Sequence, residues 1–283
     1  MLPRDGHAGL IVARALGIPF ALTVHGTDIF HYFIPGQAPW PRNVNIAREA
    51  DALMAVSTLL MSRVAPYRGE GKCSRVVPNG VDLSLVPEQT ENTPCAVISV
   101  GTLKARKCMD RTLEAFAQLA GDFPDATLTI VGMGEMEGAL RARIAQLGLE
   151  RRVTLTGGLP HEEVVARMAQ SDLFVLPSWG EGYGIVYIEA MAAGCIAVGA
   201  KDEGIEDTIR DGENGFLIPA GDVDETERVM RAVFSDPQAY AALRERGRQD
   251  ARELTWAHNA RLTEDVYRQA LRGGRQSDAQ DRH

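Results

Sequence analysis

From residue 95 onward, short runs rich in Val, Ile and Leu alternate with longer segments of helical period, and this alternation restricts the chain's fold more than any other feature. Apolar runs of that length suit strands buried on both faces, the condition of a parallel sheet covered by helices. The pattern predicts strands over 96–100, 126–131, 152–156, 173–176, 196–199 and 216–218. Helices are predicted between them, over 110–120, 137–147, 162–171, 185–193 and 205–210, with two or three more to about residue 271. That is a complete doubly wound α/β domain. Before residue 88 the same rhythm is shorter, with strands over 20–25, 52–56 and 75–77 and helices over 8–16, 43–50 and 58–64.

A polar segment bounded by Pro87 and Pro94 separates the two stretches, as a domain boundary should. The expected organisation is a partial first domain over 1–88, a second over 93–274, and a disordered tail over 275–283 with no apolar side chain larger than alanine. With 283 residues the chain can bury a substantial core. Its net charge of −8 argues against nucleic acid as a partner. The charge is uneven: residues 1–89 hold 8 basic and 7 acidic side chains, and the remainder hold 22 and 31. Cys73, Cys95, Cys108 and Cys195 form neither a C-x-x-C pair nor a zinc-like cluster, which suits a reducing compartment. The six histidines have no metal-ligand spacing either, so no metal site is expected. The most apolar N-terminal stretch, Gly9 to Val24, is broken by Arg14 and Pro19, leaving no secretory core and no membrane span. A cytoplasmic location is expected.

Ligands of open parallel sheets bind beyond the carboxyl ends of the strands, so the strand-to-helix loops carry the chemistry. The first, after Val100, places Lys104, Arg106 and Lys107 where cations can neutralise a diphosphate, although solvated basic loops are common. The second, Gly132-Met133-Gly134-Glu135-Met136-Glu137-Gly138, misses the dinucleotide fingerprint by one residue. The following strand also lacks the terminal acid that a nicotinamide ribose needs, so these glycines are read as a tight turn with close backbone approach.

The third loop, Pro177 to Gly184, opens the helix that carries Glu189. Gly182 and Gly184 present backbone N–H groups before a helix N-terminus, a site suited to phosphate oxygens. Glu181 and Glu189 repel phosphate but accept hydrogen bonds from hydroxyls. Two carboxylates flanking an anion site fit a diphosphate with a polyol at each end, which describes a nucleoside diphosphate sugar. Glu189 precedes the small-residue run Ala190-Met191-Ala192-Ala193-Gly194, so its carboxylate must face the crevice or be buried at a cost. Trp256, Tyr267 and Phe234, on C-terminal helices, are read as core side chains. His161 opens a helix after a Gly157–Pro160 loop suited to flank a nucleobase, and His7 and His31 are candidates to lie near an acceptor.

The Glu181-(seven residues)-Glu189 spacing resembles the signature of the retaining glycosyltransferases of family 4, which have the GT-B fold of two Rossmann-like domains. His25-Gly26-Thr27-Asp28, Ala55-Val56-Ser57, Val77-Pro78-Asn79-Gly80-Val81-Asp82, Val100-Gly101-Thr102-Leu103 and Asp211-Gly212-Glu213-Asn214-Gly215-Phe216 resemble further family motifs in family order. The resemblance implies that Glu181, Lys107 and His25 are catalytic. It also implies that Arg106 and Lys107 bind the donor diphosphate, that Glu181 binds the sugar hydroxyls, and that Glu189 binds the ribose. Gly182, Tyr183 and Gly184 would touch sugar and phosphate. Many members have Arg where Thr102 stands and Gly where Cys108 stands, and Arg106 is read as supplying the missing charge. The implied reaction is sugar transfer to an acceptor hydroxyl with retention, using a nucleoside diphosphate sugar as donor and no cofactor. A glycan or lipid-linked acceptor, with peripheral location at the inner membrane face, is the expectation by family analogy.

Only about two dozen residues precede His25, where the family has several strands, so the first domain is expected to lack the centre of its sheet. Exposed edges of that kind invite association. Two alternatives follow: an inactive nucleotide-sugar-binding module, or a subunit needing a partner to complete the acceptor side. A nucleotide-sugar epimerase on the same fold is less supported, because the paired-glutamate loop matches transferases better.

Overall fold

The computed structural model describes residues 2–38, 40–87 and 93–280. The central part of the expected linker, 88–92, lies outside them. The chain forms two compact units, one holding residues 1–80, 180–183 and 256–283, the other 81–179 and 184–255.

In the first unit, α1 (His7–Leu16), β1 (Ala21–Val24), α2 (Gly26–Tyr32), α3 (Trp40–Glu49), β2 (Ala52–Ala55), α4 (Thr58–Val64) and β3 (Cys73–Val76) follow in order. The strands form a parallel sheet, β1-β2-β3, with Thr23 opposite Met54 and Met54 opposite Arg75. β2 is buried along its whole length. Ser57 caps α4 by accepting from Leu60 N–H at 3.2 Å, and this sharp stop lets a four-residue strand turn directly into a helix. Sequence periodicity misses α2, whose first residues are the Gly26-Thr27-Asp28 of the histidine motif.

The second unit contains β4 (Thr93–Val100), α5 (Met109–Leu119), β5 (Thr127–Val131), α6 (Glu137–Gln146), β6 (Val153–Gly157), α7 (His161–Ala169), β7 (Ser171–Val175), α8 (Ile185–Ala192), β8 (Ile196–Ala200), β9 (Phe216–Ile218), α9 (Val223–Ser235) and α10 (Ala241–Glu253). Its sheet has the order β6-β5-β4-β7-β8-β9, all parallel, which is the doubly wound α/β arrangement that the alternation predicts. β7 and β8 are buried at every position, as central strands covered on both faces must be.

The predicted helix over 205–210 is only a 3₁₀ turn, Gly204–Asp207. Asn214 closes the segment after it: its amide donates to Thr208 O (3.0 Å) and Asp250 (2.8 Å), and its Oδ1 accepts from Arg210 N–H (2.7 Å). Asp211 accepts from Leu217 N–H at 3.0 Å, so this Asp-Gly-Glu-Asn-Gly motif sets the start of β9.

The last helix, α11 (Trp256–Gln280), belongs to the first unit, whereas the sequence reading runs the second domain to residue 274. Its Val266 and Ala270 pack on Ala52, Met54 and Val77. An amphipathic helix shows that it has a face to bury, but nothing in its period says which sheet receives that face. The helix also continues through 275–280, expected to be disordered, while 281–283 lie outside the described residues. Phe234 is buried as expected, but Trp256 and Tyr267 are 50% and 48% exposed and are not core side chains.

Val266 has no exposed surface. Val266→Asp places an unpaired charge against the first unit's sheet and is expected to destabilise it by about 3 kcal/mol or more, read from urea unfolding.

Candidate functional site

The second unit's chain starts in the middle of its sheet. From β4 it proceeds to β5 and β6 on one side, and from β7 to β8 and β9 on the other. β4 and β7 are neighbours, so the loops leaving their carboxyl ends diverge and open a crevice there. Two of the three loops singled out from the sequence are these.

After β4 the chain makes a 3₁₀ turn, Ala105–Lys107, that carries both expected cations. Lys107 is only 8% exposed. Its stem folds over Gly101, where a Cβ would lie 3.6 Å from the lysine Cε. Trp179 N–H donates to Arg106 O at 2.9 Å and ties this turn to the loop after β7. The loop after β7 is itself held from below: Tyr187, on the first turn of α8, donates its hydroxyl to Leu176 O and lies 3.1 Å from Ser178 Oγ. The tyrosine is completely buried, so the polar contacts and the ring packing against Phe174 act together. Gly184 then opens α8 at φ +83°, a backbone state in which a side chain would be strained.

The glycines of the second loop, which is not a dinucleotide fingerprint, support the first. A Cβ on Gly132 would lie 1.8 Å from Gly101 O, and one on Gly134 would lie 2.5 Å from Leu103 O. Leu103 N–H donates to Met133 O (2.9 Å) and Leu103 O accepts from Met136 N–H (3.0 Å). Close backbone approach is thus their use, in agreement with the sequence reading.

Glu189, in α8, is 17% exposed and accepts from His161 Nε2 at 2.8 Å. The expected dilemma of a carboxylate beside a small-residue helix face is resolved by this partner. Sequence reasoning reads His161 as an exposed early-turn residue after a loop suited to flank a nucleobase. Its pairing with an acid 28 positions away has no local signal, since it depends on the packing of α7 beside α8.

Residues 180–183 group with the first unit, and so do Glu181, Gly182 and Tyr183. There Gly182 sits against Gly26: a Cβ on Gly182 would lie 2.6 Å from Gly26 Cα. His25 precedes Gly26 and is the N-cap of α2, with His25 N–H donating to Asp28 at 3.0 Å and the ring forming the reciprocal half of a capping box. The expected residues therefore fall into two sets, His25, Glu181, Gly182 and Tyr183 in the first unit and Arg106, Lys107, Gly184 and Glu189 in the second. Among the described residues no group of three His, Cys, Asp or Glu side chains is placed to hold a metal ion, and no helix is long and apolar enough to cross a membrane.

Cys108, the position where the family resemblance calls for Gly, has φ +52° and caps α5 in the left-handed region. Burial pushes its thiol up, helped by the nearby Asp110.

Two family models match the chain: Glycosyl transferases group 1 over residues 85–250 and Glycosyltransferase Family 4 over residues 2–85. The chain is 28% identical over 283 residues to the glycogen synthase of Mycobacterium tuberculosis, across 95% of this chain and 68% of that protein. It is 29% identical over 258 residues to the GDP-mannose-dependent alpha-(1-6)-phosphatidylinositol monomannoside mannosyltransferase of Mycolicibacterium smegmatis, across 85% and 67%. Among solved structures, Anabaena Alr3699/HepE in complex with UDP and glucose superposes with a TM-score of 0.77 at 22% identity, over 92% of this chain and 74% of that one, a likeness of fold.

The left-handed backbone at residue 108 gives a sharp expectation. Cys108→Gly should fold at least as stably as the parent, whereas Cys108→Val, β-branched in a region hostile to it, should lose about 1–2 kcal/mol or more in thermal or urea unfolding.

Proposed function

Because the chain belongs to the group 1 glycosyl transferases, we propose that it moves a hexosyl group from a nucleoside diphosphate sugar to an acceptor hydroxyl with retention of anomeric configuration. The observation that carries this reading is the tie between Trp179 N–H and Arg106 O, which puts the cationic turn after β4 and the loop opening α8 at one crevice. A diphosphate in that crevice meets Arg106, Lys107 and the positive end of α8, while Glu189 accepts from ribose hydroxyls. Glu181 accepts from the hydroxyls of the transferred sugar, and His25 acts on the same sugar. The nucleotide-sugar donor class is in keeping with the GDP-mannose named for one relative.

In the proposed step the bond between the anomeric carbon and the diphosphate oxygen breaks as the acceptor oxygen bonds to that carbon from the same face. The acceptor's proton passes to a leaving phosphate oxygen, so configuration is retained without a protein nucleophile. Arg106 and Lys107 stabilise the charge that develops on the diphosphate, a role that requires neither metal nor cofactor. We place the acceptor on a glycan or lipid-linked carrier of polysaccharide assembly, with the protein in the cytoplasm or at the inner membrane face.

One observation favours a second reading. β1 pairs only with β2 among the described residues, and Ile11, Val12, Leu16 and Ile18 are all more than half exposed. In this reading a partner covers those surfaces and completes the acceptor side, and the chain alone binds nucleotide sugar without turnover.

Lys107→Ala and Glu181→Ala are each expected to lower transfer by about 10²–10³ with the fold intact, as loss of one transition-state contact does. Wild-type rates in both variants overturn the assignment. Titration calorimetry with UDP and GDP, followed by donor hydrolysis and transfer assays, separates the readings, since binding without turnover selects the second. The product's anomeric configuration, read by NMR, tests retention.

A further inference from the structure

The first unit contains a cavity of about 380 Å³ that no role has yet been given. It opens at the carboxyl ends of β1–β3, the side on which parallel sheets receive ligands. Its volume lies at the small end of the range of small-molecule sites, about 300–1,000 Å³, and suits a single ring better than an extended chain.

One face of α11 forms a wall, and the character of that face changes along the helix. Val266 and Ala270 are apolar and sealed against the sheet. One and two turns earlier, where continued packing would call for more apolar side chains, the same face carries Thr263 and Asn259 and ends in Trp256, half exposed. Met54 and Val77 supply an apolar floor. Asn259 donates its amide to Pro78 O at 2.7 Å, which fixes the side chain and leaves Oδ1 as an acceptor for a ligand hydroxyl. Asn79 and His25 complete the polar rim, and among the described residues no Lys, Arg, Asp or Glu lines the cavity. An exposed indole beside neutral amide, hydroxyl and imidazole groups suits a ligand with one apolar face and a rim of hydroxyls. It offers nothing to balance a phosphate or carboxylate.

We propose that this cavity seats the acceptor as a neutral sugar or cyclitol ring, stacked on Trp256 with its hydroxyls bonded to Asn259, Thr263 and Asn79. The acceptor role rests on the transferase reading above; the ring-binding site does not. His25 lines the cavity and is also the residue proposed to reach the transferred sugar, so a ring held here lies beside a group of the reaction.

Saturation-transfer NMR on the whole chain tests the site with methyl α-glucopyranoside, methyl α-mannopyranoside and myo-inositol as probes and glucose 6-phosphate as the anionic control. At least one neutral ring should receive saturation. Its affinity should fall about tenfold in Trp256→Ala, recover in Trp256→Phe, and weaken in the near-isosteric Thr263→Val. UDP and GDP binding should be unchanged in all three. No saturation of any neutral ring, equal binding by Trp256→Ala, or stronger binding of the phosphate sugar overturns the proposal. Loss of UDP and GDP binding in the parent, with ring binding kept, overturns the transferase reading instead.

Discussion

The adjacency of β4 and β7 is the constraint on which the second unit's site depends. A parallel sheet that starts in its middle has one place where successive loops part, and the cationic turn and the helix end proposed to meet the donor follow the two strands beside that place. The hydrogen bond from Trp179 N–H to Arg106 O helps to convert adjacency of strands into adjacency of loops. Below it, buried Tyr187 holds the β7 end of the crevice to α8, and Gly132 and Gly134 let the β5 loop lie directly on the backbone of the β4 loop. The cationic turn is therefore supported by main chain, where a substitution of surface side chains cannot displace it.

This rigidity bears on an electrostatic problem. The half of the chain that is proposed to hold an anionic donor is itself acidic, with 31 carboxylates against 22 basic side chains after residue 89. At physiological ionic strength charges further apart than about 8 Å are largely screened, so the distant carboxylates matter less than the few groups in contact with the ligand. A nearly buried Lys107 and an oriented helix end act within that distance and in a lower dielectric. Glu189 is the acid of α8, and it bonds to His161.

Most strands of the second unit are legible because they are apolar runs followed by a helix; β6, buried only at Val153, and β8, followed only by a 3₁₀ turn, are legible from their place in the alternation. The α/β class, the two loops of the crevice and the reading of Gly132 and Gly134 all follow from that regularity. What was not legible depends on contacts between distant segments. His161 meets Glu189 only through helix packing, and α11 reaches β2 and β3 from the far end of the chain. Trp256 was misread because aromatic residues at helical spacing usually serve cores, whereas here the face on which it lies is buried only farther along. Cys108 illustrates an intermediate case: the resemblance marked the position as unusual, and only its left-handed backbone shows why glycine suits it.

The two units also differ in how their cores can close. The second draws its sheet from one continuous stretch, so neighbouring strands and helices meet with little loop-closure cost. The first is assembled from separate segments. Its sheet face stays uncovered until α11 arrives, and a contact such as Cys73 Sγ–H to Gln269 Oε1 spans 196 positions. In synthesis from the N-terminus the second unit can complete its core before the helix that finishes the first has been made. The cavity under Trp256 lies at the junction of those late contacts, between strands made before the second unit and a helix made after it. Its walls consequently come from parts of the sequence that no local pattern connects, which is why a polar stripe on the last helix acquires meaning only once the fold places it over the first unit's strands.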